Sequence, residues 1–210
     1  MFYWIFVQCH KEKNFMIKRF FDLISSSIGI LVLLPLMLVI SIVIKLDSKG
    51  PVFFKQKRVG KDGLLFTMIK FRSMSVVQKS KSTVSVKGDV RITKVGAFIR
   101  KYKFDELPEL WNVLVGQMSI VGPRPDVKGF ADELKGEERL ILELRPGITG
   151  PASLKYVNEE ELLSHQENPE KYNNEVIYPD KVRINLDYYY NQNLILDLKI
   201  IFATIFRTNF

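Results

Sequence analysis

From Leu23 to Ile44 the chain runs for 22 residues without a charge, LISSSIGILVLLPLMLVISIVI. As a helix that run is about 33 Å long, enough to cross a hydrocarbon core of about 30 Å. It is too long, and too poor in a following small-residue site, for a cleaved signal peptide, since Lys45-Leu46-Asp47 comes next. Lys11, Lys13, Lys18 and Arg19 precede it, and Lys45, Lys49, Lys55, Lys57 and Arg58 follow it. Basic flanks stay in the cytoplasm, so both ends are expected on that side. Pro35 lies just past the centre and leaves the Leu31 carbonyl without its usual donor, which favours a kink. The reading is a re-entrant, kinked helix dipping into one leaflet. A single ordinary span and a buried core helix are the alternatives.

The rest bounds the class. Of 210 residues, 31 are basic and 23 acidic, giving a formal charge of +8. The imbalance is concentrated between residues 45 and 103, where sixteen basic residues face three acidic ones. Such a band calls for an anionic partner: nucleic acid, anionic lipid or a phosphorylated substrate. One cysteine, Cys9, excludes an internal disulfide, and with two histidines it excludes a Cys/His zinc cluster.

Residues 1–46 read as an N-terminal extension plus membrane helix, and 47–210 as one cytoplasmic domain. Residues 51–58 and 64–70, joined by Gly60-Lys61-Asp62-Gly63, predict a β-hairpin. Residues 75–90 read as a mobile polar loop and 91–102 as a short basic helix. A helix carrying Leu110, Trp111, Val113 and Leu114 is expected to begin near Pro108 and to stop at Gly116. Gly122-Pro123-Arg124-Pro125 and Arg145–Pro151 read as rigid loops. Residues 126–144 are helical in character with Gly136 as a break, and further helices are expected near 158–167 and 180–191. Leu194, Leu198, Ile201, Phe202 and Ile205 recur at helical spacing, which suits a terminal amphipathic helix at an interface or one packed on the core. The class is α+β, predominantly helical, with a small antiparallel sheet.

Asp105 and Glu106 follow Arg100-Lys101-Tyr102-Lys103, in a field expected to favour ionised carboxylates, at the start of a helix that favours anions. An ionised carboxylate can attack phosphorus, and its neighbour can hold Mg²⁺. Helix capping is the plainer role. Arg124 and Arg145 each stand on a proline-stiffened turn, suited to phosphate contact. Lys70 and Arg72 end the second strand on one side of its alternation. Asp187 and Asp197 lie in the two tail segments, Asp197 among apolar neighbours. These features suit phosphoryl chemistry at a bilayer surface without naming a substrate.

Six segments taken together resemble the bacterial sugar transferase family, the small monotopic phosphoglycosyl transferases. They are KRFFD at 18–22, GPVFFKQKRVG at 50–60, FTMIKFRSM at 66–74, DELPELWNVLVGQMSIVGPRP at 105–125, RPGITGPAS at 145–153 and LDYYYNQNLILDLKIIFAT at 186–204. The resemblance implies transfer of a sugar 1-phosphate from a UDP-sugar to undecaprenyl phosphate, releasing UMP and opening the assembly of a surface polysaccharide or other glycan. It implies a re-entrant helix at the cytoplasmic face of the bacterial inner membrane. Membrane lipids and other glycan-assembly enzymes are the further partners, and nucleic acid is not one.

By the same resemblance Asp105 is the nucleophile and Glu106 binds Mg²⁺. Lys70, Arg72, Arg124 and Arg145 contact phosphates or nucleotide, and Asp187 and Asp197 match acidic positions of the C-terminal motif. The chain departs from the family pattern at Leu34, where Ser is common, at Glu109, where Gln is frequent, and at Gln117, where Asp is frequent. Both Glu109 and Gln117 are expected to stand clear of the carboxylate pair. The stretch 151–180 is the expected specificity region. A membrane-anchored basic module that binds lipid or a partner without catalysis, and a nucleotide-sugar hydrolase, are the competing functions.

Overall fold

A computed structural model describes residues 2–75 and 91–208, with side chains from Phe15 onward. The stretch expected as a polar loop lies, apart from Ser75, outside the described residues. Helix α1 (Phe2–Asp47) is continuous through Pro35. In its most apolar window only 11% is buried against protein. A core helix would be mostly covered, so this one presents its apolar side chains to another medium.

The helix is nevertheless fastened at both ends of the apolar run to the same folded domain. On the N-terminal side Arg19 donates to the Val113 and Leu114 carbonyls at 2.6 and 2.8 Å. Asp22 is fully buried and accepts from Ser119 Oγ and from the Ile120 backbone N–H at 3.1 and 3.0 Å. Lys18 pairs with buried Asp197, which also accepts from Tyr188. On the C-terminal side Ile40 and Ile44 pack with Phe71 and Ile99. The KRFFD segment is thus a set of clamps: each charged side chain satisfies a group of the domain that would otherwise be buried alone.

Strands β1 (Phe53–Val59) and β2 (Leu65–Phe71) pair antiparallel, Phe53 opposite Phe71, around a tight turn at Lys61–Gly63. The hairpin is the one expected. Helix α2 (Lys94–Lys101) is capped by Thr93, whose hydroxyl accepts from Gly96 N–H. Helix α3 (Glu109–Leu114) starts after Pro108 and ends before Gly116, whose φ of +86° reverses the chain. Phe66 and Met68 of β2 pack with Val113 of α3 and with Met118.

Two expectations change. Residues 126–144 form only 3-10 turns, at 131–133 and 136–143, rather than an α-helix. Gly136, with φ of +56°, separates them and leaves neither segment room to nucleate a longer helix. The proline-rich loops contain a second sheet: β3 (Ser119–Val121) and β4 (Gly147–Thr149) pair in parallel. Glycines allow this approach, since a Cβ on Gly122 would lie 2.4 Å from the Arg145 carbonyl oxygen, and one on Gly147 would lie 2.1 Å from Gly122 N. A pattern of turn residues thus conceals a backbone contact.

Short helices α4 (Pro151–Lys155), α5 (Glu159–Ser164) and α6 (Pro169–Tyr172) lead through a π-turn into α7 (Tyr178–Asn191) and α8 (Leu194–Phe206). Tyr188, Tyr189 and Ile200 form a core cluster with Val121 and Leu144. On α8, Ile200 and Ala203 face that core, while Ile195, Leu198, Phe202 and Ile205 stay exposed along one stripe. The core-packed reading holds for one face, and the other face is exposed. The fold is α+β and predominantly helical.

Candidate active site

Asp105 and Glu106 lie on a single 3-10 turn, Phe104–Glu106, between α2 and α3. Lys103 enters that turn in the left-handed region, at φ 59°, a strained conformation for a side-chain-bearing residue. Phe104 and Leu107 anchor the turn against Ile40, Ile44, Phe71 and Ile99. Held this way, both carboxylates are buried, 8% and 9% exposed.

Lys70 shares a face of β2 with Phe66 and Met68, which pack towards α3. That register carries its ammonium to Glu106 Oε1 at 2.9 Å and to Glu109 Oε1 at 3.1 Å. Arg124, on the loop after β3, donates to the same Glu106 oxygen at 2.8 Å. Lys70, Asp105, Glu106 and Arg124 thus converge.

The other four candidates each have a partner within the protein. Arg72 leaves the strand and donates to the Ser48 and Lys49 carbonyls at 2.7 and 3.0 Å, and to Ser48 Oγ. Its guanidinium closes the C-terminal end of α1, where carbonyls lack intrahelical donors. Arg145 donates from Nε to the Gly116 carbonyl at 2.9 Å. Asp187 is exposed and accepts from Asn191 one turn on. Asp197 serves the Lys18 clamp.

The electrostatics separate the carboxylates. Burial pushes Glu106 up, but the cations Arg124 and Lys70 outweigh it and hold the group well below the usual carboxylate range. Asp105 moves the other way: burial and the neighbouring Glu106 raise it against Lys70, Arg100 and Lys103. The expected positive field is present, yet desolvation exceeds it, because the turn is packed against apolar side chains. Asp105 Oδ1 is buried with no hydrogen-bond partner among the described residues. An unpaired buried carboxylate oxygen is costly.

Glu109 joins this cluster, although sequence reasoning sets it apart. It is 2% exposed, and burial pushes its carboxyl up to about 7 against the pull of Lys70. Its place on the first turn of α3, three residues after Glu106, is the available signal. Gln117 behaves differently: it accepts from Asn112, which in turn bonds β2.

Among the described residues no three His, Cys, Asp or Glu side chains make a metal cage. Mg²⁺ needs none, since it takes one or two carboxylates together with water and phosphate oxygens. The unpaired Asp105 oxygen, with Glu106 anchored through its Oε1 alone, fits such an ion.

The chain is 38% identical over 199 residues to the UDP-glucose:undecaprenyl-phosphate glucose-1-phosphate transferase of Klebsiella pneumoniae, covering 92% of this chain and 40% of that protein. It is 39% identical over 202 residues to the exopolysaccharide production protein PSS of Rhizobium leguminosarum bv. phaseoli, covering 91% and 94%. To the UDP-N-acetylgalactosamine-undecaprenyl-phosphate N-acetylgalactosaminephosphotransferase of Aeromonas hydrophila it is 37% identical, covering 90% and 43%. The chain therefore spans less than half the length of the Klebsiella and Aeromonas relatives. The sequence profile of bacterial sugar transferases matches residues 13–209, from the helix clamps through the carboxylate turn to the terminal helix, and this chain belongs to that family.

Proposed function

We propose that the protein transfers a sugar 1-phosphate from a UDP-sugar to undecaprenyl phosphate at the cytoplasmic face of the inner membrane, releasing UMP. The observation that carries the reading is Asp105: a buried carboxylate with an unpaired oxygen, beside a glutamate locked by Lys70 and Arg124. Relatives that match nine-tenths of this chain bear names describing sugar-phosphate transfer to undecaprenyl phosphate.

In this mechanism an Asp105 oxygen attacks the phosphorus that carries the sugar. The bond from that phosphorus to the UMP oxygen breaks, and its electron pair leaves with UMP. An oxygen of undecaprenyl phosphate then attacks the same phosphorus. The aspartyl–phosphorus bond breaks and the carboxylate is restored. Lys70 and Arg124 position Glu106 and supply positive charge beside the transferring group, which is where such reactions gain most. Glu106, with Asp105, would hold a Mg²⁺ ion, which when bound neutralises charge on the donor's phosphate oxygens.

The acceptor's phosphate stays at headgroup level, so the site must too. The re-entrant reading is supported by the clamps: Lys18, Arg19 and Asp22 before the apolar run, and Ile40 and Ile44 at its end, all grip one domain. A domain that must hold both ends cannot lie wholly on one side of a membrane crossed between them. The exposed stripe of α8 and the basic band of residues 45–103 suit contact with the same leaflet.

The test is UMP release by the full chain in detergent, with Mg²⁺, a panel of UDP-sugars and undecaprenyl phosphate. Continued release is expected only when donor and acceptor are both present, donor alone giving at most a single turnover, and Asp105→Asn is expected to abolish both. Full turnover by Asp105→Asn would remove the covalent mechanism. Continued UMP release without acceptor, beyond a single turnover, would indicate a hydrolase, and lipid binding without any release would indicate a non-catalytic module.

A further inference from the structure

Arg124 stands between two polar clusters. One is the carboxylate group just described. The other comprises Arg58, Asp126, Tyr178, Lys181 and Asn185, which line the same cleft as Asp105 and Glu106. The fold builds it from two elements. Arg58, near the end of β1, donates from its two terminal nitrogens to the Pro125 carbonyl at 3.2 Å and to Gln56 Oε1 at 2.8 Å. The Asp126 carbonyl accepts from Val59 N–H at 2.8 Å, pinning the Arg124 loop to the same strand. On α7, Tyr178, Lys181 and Asn185 recur at spacings that share one helix face. The Phe130 ring meets Tyr178 edge-on, centroids 5.2 Å apart.

Three atoms of this cluster are buried and lack a hydrogen-bond partner among the described residues: Arg58 Nε, the Tyr178 hydroxyl and Asn185 Oδ1. Asn185 as a whole is 7% exposed. Buried polar atoms are almost always paired, and an unpaired one is costly. All three residues line the cleft that also holds Asp105.

We propose that Arg58, Tyr178 and Asn185 form the subsite that reads the hydroxyls of the sugar ring being transferred. The proposal rests on the transferase reading above. A hydroxyl both donates and accepts. Adjacent ring hydroxyls can therefore accept from Arg58 Nε, exchange a bond with the Tyr178 hydroxyl and donate to Asn185 Oδ1. A uracil edge, with one N–H between two carbonyl oxygens, can meet the same three atoms, and inhibition by UMP separates the two occupants. Tyr178 falls within the stretch 151–180 expected to govern specificity, whereas Arg58 and Asn185 lie outside it, on β1 and further along α7.

The experiment compares the wild-type chain with Tyr178→Phe and Asn185→Leu, in detergent with undecaprenyl phosphate. It measures kcat/KM for UDP-sugars that differ at single ring hydroxyls, and inhibition by UMP. The expected result is that the preference for the best sugar over its epimers collapses by at least about tenfold, while inhibition by UMP is unchanged. An unchanged sugar ranking in both variants would overturn the proposal. So would a uniform loss across all sugars matched by weaker UMP inhibition, which would make this a nucleoside subsite. Should Asn185→Leu fail to fold, Tyr178→Phe, which removes a single oxygen, decides alone. If the wild-type chain releases UMP from no donor, the transferase reading itself has failed, and the subsite falls with it.

Discussion

Glu109 is a carboxylate in a place that disfavours its charge, and replacing it with glutamine should stabilise the protein in a pH-dependent way. The side chain is 2% exposed, and Lys70, at 3.1 Å, is shared with Glu106. Burial pushes the carboxyl from its ordinary 4.5 up to about 7. In the unfolded chain the proton leaves near the lower value, and in the folded protein near the higher one. A raised carboxylate favours folding at low pH, and that contribution is lost as pH rises through the window between the two values. Beyond about 7 the loss is complete. At about 1.4 kcal/mol per pH unit, the gap corresponds to about 3 kcal/mol. A glutamine at this position keeps an acceptor for Lys70 and has no proton to lose. Denaturation curves of Glu109→Gln and wild type, in detergent with EDTA so that no metal contributes, should diverge with pH. Between about pH 5 and about pH 8.5 the variant should gain about 2–3 kcal/mol relative to wild type. A stability difference that is the same at both pH values would show that Lys70 keeps Glu109 ionised, and the reasoning would fail.

Two further outcomes follow from the clamps on α1. Lys18→Met should destabilise the protein by about 3–5 kcal/mol, since it leaves Asp197 buried without its cation, and adding Asp197→Leu should recover most of the loss; thermal melts of the single and double variants check this, and a cost near zero for Lys18→Met would count against the clamp. Single cysteines at Lys13 and Lys49, in a chain with Cys9 replaced, should both react with a membrane-impermeant thiol reagent only after the inner membrane is opened; labelling of one in intact cells would mean a single span.

Local chemistry is readable in the residues. Alternation and a Gly-bounded turn announce the hairpin, and Pro108 and Gly116 bracket α3, because propensity acts within a few residues. The uncharged run announces a helix for lipid, since length and charge suffice. The convergence of Lys70, Asp105, Glu106 and Arg124 is suggested by charge and motif, but contact between them depends on β2 facing α3 and on the strained entry at Lys103. What has no local trace is decided by packing. The parallel pairing of β3 with β4 joins segments 28 residues apart at Ser119 and Gly147 through glycines that read as loop. The backbone carbonyls that Arg72 and Arg145 meet are brought to them by the fold. Glu109 looks like an ordinary helix-start residue until burial lifts its pKa. Composition and spacing determine which groups are available. Which of them meet a partner inside the protein, and which are left waiting in the cleft, is a property of distance and desolvation, and those exist only once the chain has closed on itself.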